Sequence, residues 1–82
     1  MQVQVHLYTV LREKIPSGMS NPFLFIVKEK STIQDLLDDL NIIYNDDTLA
    51  IIVNGKSASV GTLLSDGNQV DLVPAISGGS SI

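Results

Sequence analysis

Ser31-Thr32-Ile33-Gln34-Asp35-Leu36-Leu37-Asp38-Asp39-Leu40 is the stretch of the chain with helical periodicity, and its neighbours decide the fold. Ile33, Leu36, Leu37 and Leu40 recur at the i, i+3, i+4, i+7 spacing that gathers them on one face. Gln34, Asp35, Asp38 and Asp39 point the other way. Ser31 is expected to cap the free N–H groups of the first turn, with Gln34 reaching back in a capping box. The spacing predicts an amphipathic helix of about ten residues, ending near Asn41 to Asn45, whose apolar face must cover a sheet.

The sheet is legible on both sides of that helix. Gln2 to Val10 alternates polar and apolar, which predicts a half-buried strand with Val3, Val5 and Leu7 inward and His6 and Tyr8 outward. Pro16, Gly18, Asn21 and Pro22 mark residues 11–22 as a connecting loop, and the apolar run Phe23 to Val27 is the natural hairpin partner of the first strand. Leu49 to Val53 reads as a third strand, turned back at Asn54-Gly55, a pair that tolerates the positive φ of a tight hairpin. The short stretch Lys56 to Val60 follows, then a helical turn over Gly61 to Leu64 and a second turn at Asp66-Gly67-Asn68. Gln69 to Val73 is the last strand, with Val70 and Leu72 inward, and Pro74 is expected to end its ladder because it lacks an N–H. Hairpins at both ends with one helix between them give an α+β domain with a mixed sheet, in which the first and last strands can pair in parallel at the centre.

Composition narrows the function. Eighty-two residues hold one domain and one core, and a chain of this size buries only about 60–65% of its unfolded surface. A deep substrate pocket is hard to build there, which argues against a free-standing enzyme. A hydrophobic fraction of 44% with 17% charged residues describes an ordinary globular chain. Five basic residues against nine acidic ones leave a net charge of −4, and Arg12, Lys14, Lys28, Lys30 and Lys56 are too dispersed to track phosphates or an anionic membrane. The acidic run Asp35–Asp47 reads as a solvated face, with electrostatic steering toward a basic partner as the sharper alternative. No apolar run reaches transmembrane length, so the expected setting is the cytoplasm. There is no cysteine, hence no disulfide, thiolate metal site or cysteine persulfide.

Few side chains suggest chemistry. His6 is the sole histidine, and without a second ligand it reads as a surface or packing residue rather than a metal site. Asp38-Asp39 and Asp46-Asp47 are adjacent pairs pointing in different directions, which does not suit paired acid–base work. Ser80-Ser81 has no histidine near it in sequence. The tail is the informative feature. Gly78-Gly79 can be a plain flexible end. Two glycines, lacking Cβ atoms, also let an extended chain thread a narrow channel toward a partner's nucleotide site, where a main-chain carboxylate would react.

Val53-Asn54-Gly55-Lys56, Leu64-Ser65-Asp66-Gly67-Asn68-Gln69-Val70 and Val73-Pro74-Ala75-Ile76-Ser77-Gly78-Gly79 together resemble the MoaD family of molybdopterin synthase small subunits. The chain is similar, more widely, to the group that holds the thiamine carrier ThiS and ubiquitin. Leu11-Arg12-Glu13 and the helix over Thr32–Leu40 extend the likeness across nearly all of residues 1–79. The resemblance implies a β-grasp fold: a mixed sheet of four to five strands covered by one main helix, over residues 1–76, with 77–82 as a flexible tail. It implies a carrier that is not catalytic by itself and binds no cofactor. An E1-like enzyme would adenylate Gly79 with ATP, and the glycine would become a thiocarboxylate. Gly78 would supply clearance, and Val73, Pro74 and Ile76 would face partners. Those partners are the E1-like enzyme and a large, MoaE-like synthase subunit, which passes the sulfur to precursor Z to make the dithiolene of molybdopterin.

One departure matters. Ser80-Ser81-Ile82 follows Gly79, which therefore has a peptide bond where the chemistry needs a carboxylate. The favoured expectation is a peptidase that trims three residues, as for ubiquitin-like precursors. Loss of the carrier chemistry is the alternative, as is a tail foreign to the natural chain. Two other functions share the fold: a ubiquitin-like modifier joined to target lysines, and a β-grasp binding domain with an inert tail. The product separates the first from a sulfur carrier, and an intact Ser80–Ile82 in the host would favour the second.

Overall fold

The computed structural model describes residues 1–43 and 49–74. Strands β1 (Gln2–Leu7), β2 (Phe23–Ile26), β3 (Leu49–Val53), β4 (Lys56–Ser57) and β5 (Gln69–Pro74) form one mixed sheet in the order β2-β1-β5-β3-β4. β1 and β5 run parallel at its centre, with Val5 beside Val70 and Leu7 beside Leu72. The remaining pairings are antiparallel. Helix α1 (Ile33–Asp39) lies on one face. The β-grasp architecture expected from the sequence is the one observed.

Alternation drives the packing. Val3, Val5, Leu7, Val70 and Leu72 are wholly buried on the helix side with Ile33, Leu36 and Leu37. Every second residue of those strands lies on the other face, away from α1. Burying a Leu or Val side chain fully stabilises by about 1.5–3 kcal/mol, so this layer supplies most of the favourable energy.

The helix is shorter than the spacing predicts, and its cap lies one residue later. Thr32, not Ser31, is the N-cap: the Asp35 N–H donates to Thr32 Oγ1, and the Thr32 N–H donates back to the Asp35 carboxylate at 2.9 Å. Ser31 is committed elsewhere, its carbonyl accepting from the Leu64 N–H at 2.8 Å. Gln34 does not reach back either, since its amide donates to Asp38 one turn on. The other first-turn donors, Ile33 and Gln34 N–H, go to the Thr62 and Val60 carbonyls. Gly61 to Leu64 is therefore not the expected helical turn: the Thr62 carbonyl accepts from the Ile33 N–H, the Leu64 N–H donates to the Ser31 carbonyl, and Leu63 bridges Thr32.

At the other end Asn41 takes φ +59°, with its N–H on Asp38 and the Ile42 N–H on Leu37. This is a Schellman closure, with Ile42 buried beside Leu37. The loop after β1 holds a 3-10 helix over Thr9–Lys14 that the sequence did not signal. Asn54 and Gly55 adopt φ +51° and +84°, the conformation of the tight hairpin expected between β3 and β4. No helix among the described residues is long and apolar enough to cross a membrane.

Candidate functional site

The C-terminal end of β5 is where the tail begins, so the geometry there decides what a partner meets. Val73 lies within the strand opposite Ala50, on the face away from α1, and is half-buried. Pro74 is the last strand residue, opposite Leu49. The ladder to β3 therefore runs one residue further than a proline suggests, and the reason is directional. The Asn54 N–H donates to the Gln69 carbonyl, which sets the hydrogen-bonded pairs at 54/69, 52/71 and 50/73. Pro74 then falls at a non-hydrogen-bonded position toward β3, and its missing N–H would have faced β1. There the Tyr8 carbonyl accepts from the Leu11 N–H at 3.1 Å and opens the 3-10 helix.

Around Val73 the open face is apolar with a polar rim. Ala50 and Ile52 come from β3, and Tyr8 joins from the end of β1, where its N–H donates to the Leu72 carbonyl. Tyr8 stacks on His6, with ring centroids 4.2 Å apart. His6 Nδ1 lies 4.0 Å from an Asp71 carboxylate oxygen, which makes an ion pair only when the imidazole is protonated. Gln69 and Gln4 bond each other across β5 and β1. Val73 and Pro74 are thus brought to the root of the tail. Ile76, Gly78 and Gly79 lie outside the described residues, as does the proposed boundary at residues 76 and 77.

Ala50, Ile52 and Tyr8 were not singled out by the sequence as partner contacts. Alternation alone marks Ala50 and Ile52 as outward-facing, but their position beside Val73 depends on the β3–β5 register. No buried side-chain polar atom among the described residues lacks a hydrogen-bond partner. Nor do the described residues gather three or more His, Asp or Glu into a metal-binding group. What this end of the sheet can do is present an apolar strip and hand the chain on.

The model of the ThiS family matches residues 5–79, from the first strand to the second glycine of the tail. The chain belongs to the ThiS family. Solved structures agree on the fold of this ThiS-family chain. SAMP1 from Haloferax volcanii is 22% identical at a TM-score of 0.74, over 96% of this chain and 100% of its own, and small archaeal modifier protein 1 from H. volcanii is 22% identical at 0.73, over 92% of this chain and 98% of its own. A Pyrococcus furiosus protein named for molybdopterin converting factor, subunit 1, is 18% identical at 0.74, over 93% of this chain and 99% of its own. The Haloferax volcanii HVO 2177 protein is 20% identical at 0.79, over 96% of this chain and 87% of its own. No curated protein matches. The fold is that of the ThiS/MoaD-like, ubiquitin-related sulfur carriers.

Proposed function

We propose that this chain is a sulfur carrier of the MoaD type, activated at Gly79 for molybdopterin assembly. The observation that carries the reading is the span of the family match, which ends on Gly79. The central strand β5 supports it, because a strand held on both sides gives a short tail a fixed origin. In this reading an E1-like enzyme docks on the strip around Val73 and Pro74, with Ile76 extending the contact. Gly78 lets the chain thread into the enzyme's site. The Gly79 carboxylate attacks the α-phosphate of ATP, forming an acyl-adenylate and releasing pyrophosphate. A sulfur nucleophile then displaces AMP, and oxygen is exchanged for sulfur at the carbonyl carbon. A MoaE-like large subunit takes the thiocarboxylate tail as the sulfur donor.

The chemistry requires a free carboxylate on Gly79, so Ser80-Ser81-Ile82 is removed first by a peptidase. Protein ending at Gly79 is expected to support ATP–pyrophosphate exchange with an E1-like enzyme of the same genome, whereas the 82-residue form supports none. Equal exchange by both forms, or none by either, would contradict the reading. A second reading is a lysine-conjugated modifier, favoured by the likeness to a protein named as a modifier. It predicts isopeptide-linked products in place of a thiocarboxylate.

A further inference from the structure

The two edges of the sheet are built differently. β4 is two residues long, exposed, and carries Lys56, the kind of short charged edge that discourages further pairing. β2 is Phe23-Leu24-Phe25-Ile26, with no charge, proline or glycine inside it. Leu24 is 56% exposed and Ile26 66%, both on the open face beside Gln4 and Gln2.

The direction of the backbone groups on β2 follows from its pairing. Met1 and Val27 exchange both hydrogen bonds at 2.9 Å, so residues 23, 25 and 27 point their N–H and C=O toward β1. Those of Leu24 and Ile26 point outward. On either side the outward edge is closed off. Pro22 has no N–H, and its carbonyl accepts from Ser20 Oγ, while the Lys28 carbonyl accepts from the Ser31 N–H.

We infer that β2 is a self-pairing edge, joining a second copy of this chain by antiparallel β2–β2 addition about a two-fold axis. Only one two-fold register uses every outward group of the strand. Setting Leu24 opposite Ile26 of the other copy, with Phe25 opposite its equivalent, makes four backbone hydrogen bonds and no unmet one. Sliding one way puts Ile26 against Pro22, which cannot donate. Sliding the other way puts Leu24 against Lys28, whose carbonyl is engaged. In the favoured register the two Leu24 and two Ile26 side chains form one apolar cluster on the open face. Lys28 falls opposite Pro22, so no like charges meet directly. A two-fold contact is self-limiting, since each copy spends its β2 edge on the other. The interface is small, and the dimer is accordingly weak and concentration-dependent. The β5 strip lies two strands away from β2 in the sheet, so the pairing stands independently of the carrier chemistry.

Sedimentation of the full chain over rising concentration, with amide exchange of the same samples, tests this. The average mass should climb toward that of a dimer, and the Leu24 and Ile26 amides should gain protection with concentration while Phe25 does not. Leu24→Pro removes an outward donor without touching the β1 ladder, and Leu24→Lys places charges in the cluster. Either should raise the dissociation constant by roughly tenfold or more with unchanged circular dichroism. A mass that stays monomeric at every concentration would overturn the proposal. So would dimers that neither variant weakens, or protection of Leu24 and Ile26 that appears only when a foreign protein is added.

Discussion

Leu72→Ala is expected to lower the stability of the domain by about 3–4 kcal/mol, enough to leave it close to its unfolding midpoint at physiological temperature. Leu72 is fully buried on the middle strand of the sheet, flanked by Leu7 on the parallel side and Ile51 on the antiparallel side. Truncation removes the transfer energy of three carbons and leaves a cavity that the helix layer cannot follow into, because α1 is tied at both ends. Thr32 and Asp35 cap one end, the Val60 and Thr62 carbonyls hold its first turn, and the Asn41–Ile42 closure fixes the other. Ile52→Ala, on the open face one residue along β3 from Ile51, should cost under about 1 kcal/mol by the same measurement. Urea unfolding followed by circular dichroism separates the two. A loss below about 1 kcal/mol for Leu72→Ala would mean that the central pairing is not where the stability lies.

In the carrier role proposed above, Val73→Asp is expected to weaken binding to an E1-like enzyme and to a MoaE-like subunit by about 2 kcal/mol or more, roughly thirtyfold in affinity. The side chain lies opposite Ala50, beside Ile52 and Tyr8, so a carboxylate there would be taken out of water on docking against an apolar partner surface. Asp71 lies two residues back on the same face and adds a like charge. The free domain should scarcely notice, because Val73 is only half-buried. Ser17→Asp, an exposed change in the loop before β2, serves as the control and should leave affinity unaltered. Unchanged affinity for Val73→Asp would move the docking surface away from the root of the tail.

Much of the fold could be read from the residues because period-two and period-3.6 patterns are segregated cleanly along the chain. Val3, Val5, Leu7, Ile33, Leu36 and Leu37 were assigned inward by spacing, and they are wholly buried. The errors fall where backbone groups choose between partners that lie far apart in sequence. Ser31 has the side chain of a cap, yet its carbonyl is taken by Leu64, so the cap passes to Thr32. Gly61 to Leu64 reads as a helical turn, but its Thr62 carbonyl is taken by the Ile33 N–H and its Leu64 N–H by the Ser31 carbonyl. Pro74 reads as a stop, although its ring nitrogen faces a position where β1 has already ended. The 3-10 helix at Thr9–Lys14 depends on that same vacancy in the ladder, which no local pattern announces. The candidate site was half legible. Strand periodicity turns Val73 outward, and only the family resemblance names Val73 and Pro74 as partner-facing, whereas the placement of Ala50, Ile52 and Tyr8 beside them requires the register of three strands.

Intact-mass measurement of the protein isolated from its own host tests the central claim most directly, since it reports trimming and activation together. The account predicts a species ending at Gly79, accompanied by one that differs from it by a single oxygen-to-sulfur exchange at the C-terminal carbonyl. A population that retains Ser80-Ser81-Ile82 throughout, with no sulfur-bearing form, would contradict it.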